Sequence, residues 1–129
     1  MKNFLKGDNM GLDQYLFVVD DWGESSEVAY WRKCNQIHAF FDRLCGGIEN
    51  CERHYISLSD LIKLRELCEE VISHPNIAEK ELPVMMGCFF GNYEYNEYYF
   101  DDLKNTVEKL DKVISNHCDG DKYYYYAWW

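Results

Sequence analysis

Met10-Gly11-Leu12-Asp13-Gln14-Tyr15-Leu16-Phe17-Val18-Val19 is the stretch on which the fold turns. It is rich in aromatic and β-branched residues, and Gly11 and Asp20-Asp21 bound it. That is the composition of a strand buried on at least one face. Its counterpart lies at the far end of the chain. Tyr123-Tyr124-Tyr125-Tyr126-Ala127-Trp128-Trp129 is a run of aromatics that makes a good strand and an awkward helix.

Between these two runs the periodicity changes. After a polar loop over residues 20–26, Tyr30, Cys34, Ile37, Phe41 and Leu44 recur at spacings of four, three, four and three, which predicts a helix over residues 27–44. Cys45-Gly46-Gly47 ends it, because glycine takes the left-handed C-terminal position without steric cost. A short extended stretch follows at His54-Tyr55-Ile56. Ser57-Leu58-Ser59-Asp60 then reads as a capping box opening a second helix that buries Leu61, Leu64, Cys68 and Val71 and stops before Pro75. Residues 76–82 form a further turn or short helix. Gly87-Cys88-Phe89-Phe90-Gly91 reads as a short strand between glycines. A third long helix is predicted over residues 96–116, with Phe100, Leu103, Val107, Leu110 and Ile114 as its apolar stripe. Asp101 and Asp102 favour its positive end. The expected fold is α+β, a three- or four-stranded, mostly antiparallel sheet with three main helices on one face. Residues 1–9 are read as an N-terminal extension, and residues 10–129 as one globular domain.

Composition narrows the function classes. Hydrophobic residues make up 47% of the 129 positions and aromatics 17%, which excludes a disordered acidic tail. Thirteen Lys+Arg against 23 Asp+Glu give a net charge of −10, which argues against a nucleic-acid backbone or an anionic membrane as partner. No apolar run approaches the ~18 residues of a membrane span, and the first residues lack signal-peptide character. A cytoplasmic location is the expectation, with the six cysteines as free thiols.

Three constellations carry chemical interest. Read as helical, Trp31, Asn35 and His38 fall on one face beside the apolar stripe, an aromatic, an amide and an imidazole able to line a small-molecule pocket. The alternative is that His38 is buried and simply ties helix to sheet. Cys45-x5-Cys51-x2-His54 resembles half of a zinc site. Zinc needs about four N/S ligands, so His38, Cys68, or Cys118 with His117 would have to help; the alternative is ordinary buried or surface thiols. No G-x-S-x-G or phosphate-binding loop occurs, and nothing in the sequence makes a cysteine a thiolate. The third constellation interleaves tyrosines with carboxylates over residues 92–102. Tyr93, Glu94, Tyr95, Glu97, Tyr98, Asp101 and Asp102 together suit an anionic contact surface for a basic protein. The alternative is that these tyrosines are core or sheet-edge aromatics.

Several stretches together resemble a family of small proteins encoded by bacteriophages and prophages. They are Met10-Gly11-Leu12-Asp13-x-Tyr15-Leu16, Glu27-Val28-Ala29-Tyr30-Trp31-Arg32-Lys33-x-Asn35-x-Ile37-His38 and Gly87-x-Phe89-Phe90-Gly91. The likeness continues through Tyr95, the run Tyr99-Phe100-Asp101-Asp102 and the C-terminal Trp. In that family Met-Gly-Leu-Asp opens the protein, which agrees with residues 1–9 as an extension. The resemblance implies a context, the disabling of a host defence system, and no catalytic residues. In that context the expected activity is that of an anti-CRISPR protein. It would be a non-enzymatic inhibitor that binds a type II RNA-guided DNA nuclease in the host cytoplasm and blocks DNA binding. A small-molecule-binding or metabolic phage protein with a pocket at Trp31, Asn35 and His38 is the alternative. A metal-dependent phage enzyme built on His38, Cys51 and Cys68 is a third.

Overall fold

The computed structural model describes residues 11–87 and 91–129. The expected extension and most of the expected strand at residues 87–91 therefore lie outside the described residues. In chain order the elements are β1 (Asp13–Val19), β2 (Ser25–Arg32), α1 (Asn35–Cys45), β3 (Glu52–Ile56) and α2 (Leu58–Ser73). A 3-10 turn (Pro75–Ile77) and a one-turn helix α3 (Ala78–Glu81) follow, then α4 (Glu97–Ser115) and β4 (Lys122–Trp128). The four strands form one sheet in the order β2-β1-β4-β3, antiparallel at every step. The fold is α+β. Its two central strands are the two aromatic runs, joined along their full length from Asp13 opposite Trp128 to Val19 opposite Lys122.

One expectation is corrected. Residues 27–44 do not form a single helix: β2 occupies 25–32, and α1 begins only at Asn35. The reason lies in the loop before it. Asp20 organises a tight reversal, its Oδ1 accepting from the backbone N–H of Trp22 and of Glu24, both at 2.9 Å, while Gly23 N–H donates to Asp20 O. That turn makes β1–β2 a hairpin. Residues 29–32 then alternate, Ala29 and Trp31 inward, Tyr30 and Arg32 outward. Lys33, at φ 57°, breaks the strand before the helix starts. The four-residue interval from Tyr30 to Cys34 was thus a strand residue followed by a helix cap. Tyr30 lies on the other side of the sheet from the core, and Leu44 is exposed.

The other helices follow their sequence signals more closely. Ser57 caps α2, its hydroxyl accepting from Asp60 N–H at 3.1 Å and donating to Asp60 Oδ2 at 2.8 Å. Leu61, Leu64, Cys68 and Val71 are its buried residues. Asn96 caps α4 by accepting from Tyr98 and Tyr99 N–H. The stripe of α4 is rotated by about one residue from expectation. Tyr99, Leu103, Thr106, Leu110 and Val113 are its most buried positions, while Phe100, Val107 and Ile114 flank them. Burying Thr106 costs little because its hydroxyl is satisfied: it accepts from Trp31 Nε1 at 2.9 Å and donates to Asp102 O at 2.8 Å.

Helix and sheet are locked by a buried polar knot. Gln14 Nε2 donates to Cys34 O and to the Tyr125 hydroxyl, both at 3.1 Å, and Gln14 Oε1 accepts from Cys34 N–H at 2.8 Å. Tyr125 stacks on Phe41 of α1 at 4.1 Å between centroids and bonds His38 Nδ1 at 2.8 Å. One amide thus joins β1, β4 and the start of α1. Gln14→Leu would strand the Cys34 N–H and the groups around it away from water. It should lower the unfolding free energy by roughly 2–4 kcal/mol, read as a lower urea midpoint at unchanged m-value.

Candidate functional site, an open face of the sheet

Among the described residues the helices cover only one face of the sheet. On the other, strand pairing lays side chains out in rows. Tyr30, Tyr15, Tyr126 and Arg53 form one row, and Glu27, Phe17, Tyr124 and Tyr55 the next. Arg32, Asp13 and Trp128 lie at one end and Lys122 at the other. The rings touch: Tyr15 lies 5.2 Å from Tyr30, 5.9 Å from Phe17 and 6.0 Å from Tyr126, and Tyr55 lies 5.9 Å from Tyr124. The Arg53 guanidinium sits 4.4 Å over Phe17 in a cation–π contact. Tyr55 keeps 59% of its surface in solvent, Trp128 38% and Tyr30 36%.

Electrostatically this face departs from the rest of the chain. It carries Arg32, Arg53 and Lys122 against Asp13 and Glu27, one net positive charge in a protein of net −10. Asp13 Oδ1 accepts from Tyr30 Oη at 2.5 Å and Arg32 Nη1 at 2.7 Å, which fixes the Tyr30 ring upright beside Tyr15. Burial and then the Asp13 carboxylate push the Tyr30 hydroxyl up to about 12, so it stays a neutral donor. Sequence reasoning missed this face. The available signal was that β4 carries aromatics at both odd and even positions and β1 carries large apolar side chains at both, which leaves one set unburied when helices cover a single side.

The expected pocket at Trp31, Asn35 and His38 is not assembled. Trp31 sits on β2, not on the helix that carries the other two. Each of the three is buried with its own partner. Trp31 bonds Thr106. Asn35 Nδ2 donates to Asn92 O at 2.7 Å and its Oδ1 accepts from Met85 N–H at 2.9 Å, tying the segment after α3 to α1. His38 joins the Tyr125 knot and packs on Trp129 at 5.2 Å. These are structural ties, the alternative the sequence left open for His38.

The expected metal ligands are also dispersed. Among the described residues no three His, Cys, Asp or Glu side chains stand together as a metal site. Cys68 is in the α2 core, its thiol pushed up to about 12 by burial, and burial raises Cys45 as well. Cys51 is exposed at φ 65°, its N–H donating to Ala127 O. Neighbouring Asn50 pairs with the Trp129 backbone in both directions at 3.0 Å, so this loop serves to fasten the C-terminal strand. His54 lies on β3 with Nε2 3.4 Å from Glu52 Oε1.

The tyrosine–carboxylate stretch divides in two. Glu94, Glu97, Tyr98 and Asp101 are exposed around the start of α4. Tyr93, Tyr95 and Asp102 are held in the fold. Tyr95 accepts from Val84 N–H at 3.1 Å and packs edge-on to Tyr99, while burial raises the Asp102 carboxyl, which lies 3.4 Å from Gln36 Nε2.

No family model, curated protein or solved structure matches this chain. No described helix is long and apolar enough to cross a membrane.

His38 makes stability pH-dependent. Tyr125 Oη accepts from Gln14 and pairs with His38 Nδ1 at 2.8 Å, an arrangement that suits a neutral imidazole accepting the Tyr125 hydrogen. Burial lowers the imidazole from 6.5 to about 4, against a smaller opposing pull from Asp42. Between those values the unfolded chain binds a proton that the native state refuses. The contribution is therefore whole above about pH 6.5 and lost as pH falls towards 4, roughly 3 kcal/mol in all. The raised Asp102 acts in the opposite sense at the acid end of that range. Urea unfolding at several pH values should show this slope, and His38→Asn should flatten it.

Proposed function

We propose that this chain is a protein-binding module that works by occupying a partner, and that it inhibits a host-defence nuclease of the RNA-guided DNA-cleaving kind. The observation that carries the first part is the composition of the open sheet face: tyrosines, a phenylalanine, a tryptophan and two arginines, with few carboxylates. Interfaces concentrate binding energy in these residue types. A rigid sheet presents them with little side-chain entropy left to lose, because the rings already pack on one another. The charge of −10 then acts at longer range, steering the chain towards a basic partner over the ~10 Å screening length at 0.1 M salt. The choice of partner rests on the likeness of the sequence to small phage proteins. Nucleases that hold nucleic acid in a positively charged channel fit the steering.

A second reading of the contact surface has its own support. Glu94, Glu97, Tyr98 and Asp101 are exposed together at the N-terminal end of α4 and would meet a Lys/Arg-rich groove directly.

Titration against a type II CRISPR nuclease with its guide, before and after DNA loading, tests the proposal. Stoichiometric inhibition that weakens from ~0.05 to ~0.5 M salt is the expected result. Tyr55→Ala with Arg53→Ala should raise Kd at least tenfold through faster dissociation, whereas Glu97→Lys with Asp101→Lys should mainly slow association. Loss of binding with the charge reversals alone would move the contact surface to α4. Undiminished cleavage at tenfold excess, in both orders of addition and across several nuclease orthologues, would overturn the assignment.

A further inference from the structure

The β2 strand is an edge of the sheet, paired only with β1, so among the described residues its outer N–H and C=O groups have no strand neighbour. Such an edge is a template for another strand. Alongside it runs α4, and a groove of about 500 Å³ separates residues 28–30 of the strand from residues 105–112 of the helix. At Val28 the groove meets a second, more apolar cavity of about 240 Å³, walled by Val18, Val28, Val113 and Tyr123, with Lys112, Asn116 and Asp121 completing its lining; Asp121 Oδ2 is engaged by the Cys118 N–H at 3.0 Å. The two share Val28 and Lys112. A bulge in the β1–β2 register at Leu16/Phe17, where Ala29 and Glu27 are paired and Val28 is skipped, turns the Val28 side chain into this junction.

Lys112 is exposed in the last turn of α4 and makes no ion pair within 4 Å among the described residues. Lys109 joins it on the groove wall, against Glu108. The groove therefore offers three things in sequence: a row of backbone donors and acceptors, an aliphatic cavity, and an ammonium at the cavity mouth. A residue that carries both an aliphatic side chain and a carboxylate matches the last two, and in a polypeptide that residue is the C-terminal one.

We infer that this groove binds the C-terminal segment of a partner polypeptide as a fifth strand. The terminal aliphatic side chain fills the valine-lined cavity and the α-carboxylate meets Lys112 Nζ. Tyr30 lies at the Asn105 end of the groove and Val28 at the Lys112 end. A segment ending at Lys112 thus runs opposite to β2, the antiparallel sense used at every other step of the sheet. Main-chain pairing supplies affinity, while the cavity and the ammonium supply the choice of terminus. This site shares Tyr30 with the open aromatic face, but its cavity and its ammonium lie outside that face, and the inference does not rest on the proposed function.

The probe is the N-acetylated hexapeptide Thr-Ser-Thr-Val-Thr-Val with a free C-terminus, titrated into ¹⁵N-labelled full-length protein. Shifts should localise to the backbone amides of residues 26–30 and to Val113. The C-terminal amide of the same peptide should bind at least tenfold more weakly, as should the free acid to Lys112→Gln. Lys104→Gln, elsewhere on α4, should bind as the parent does. No β2 shifts at millimolar peptide would overturn the inference, as would equal affinity for acid and amide. So would isovalerate filling the cavity while the peptide leaves β2 unmoved, since the site would then be one for small carboxylates.

Discussion

The side chain of Gln14 holds this structure together in a way no apolar residue at that position would. Its amide closes two bonds on the backbone of Cys34 and one on Tyr125, so the central strand β1 grips both the cap of α1 and the second central strand. A buried amide is costly unless satisfied, and its satisfaction admits only one relative placement of three elements. Phe41 and His38 can pack on Tyr125 only because Gln14 and β4 hold that ring in place. The protonation state of His38 follows from the same geometry, which is why a residue of catalytic type serves here as a pH-sensitive brace.

The sheet inherits its asymmetry from this arrangement. Gln14, Leu16, Tyr123, Tyr125 and Ala127 face the helices, so Tyr15, Phe17, Tyr124, Tyr126 and Trp128 must face away. No described helix covers that second set. The rings instead cover one another, with Arg53 over Phe17 and Arg32 anchored by Asp13. The acidic residues lie largely elsewhere, and so one molecule combines a strong long-range negative field with an aromatic plateau whose few charges nearly cancel. Among the described residues the unpaired edge of β2 adds a third feature, where backbone groups rather than rings are on offer.

Much of the fold was legible because local signals were unambiguous. Ser57 and Asp60 mark the start of α2, Pro75 its end, and a seven-residue aromatic run has little alternative to a strand. The misreading of residues 27–34 shows where such signals fail. Tyr30, Cys34 and Ile37 have helical spacing, yet Ala29 and Trp31 also alternate with Tyr30 and Arg32. The turn held by Asp20, together with pairing along β1, decided between the two patterns. For a stretch of about eight residues the two periodicities are nearly degenerate, and partners distant in sequence break the tie.

The candidate site was less legible than the fold. The sequence by itself determined the α+β class, the net charge, the strand character of both aromatic runs, and the capped helix between Ser57 and Pro75. These depend on composition and on neighbours within a few residues. Only the tertiary structure decided which tyrosines are core and which are surface, since that depends on which side of the sheet the helices occupy. It also placed Trp31, Asn35 and His38 with three different partners, and kept Cys51 apart from Cys68. Spacing along a chain shows which residues are able to share a face. Which faces meet is settled by long-range packing, and here by one buried glutamine and the two central strands it ties to the first helix.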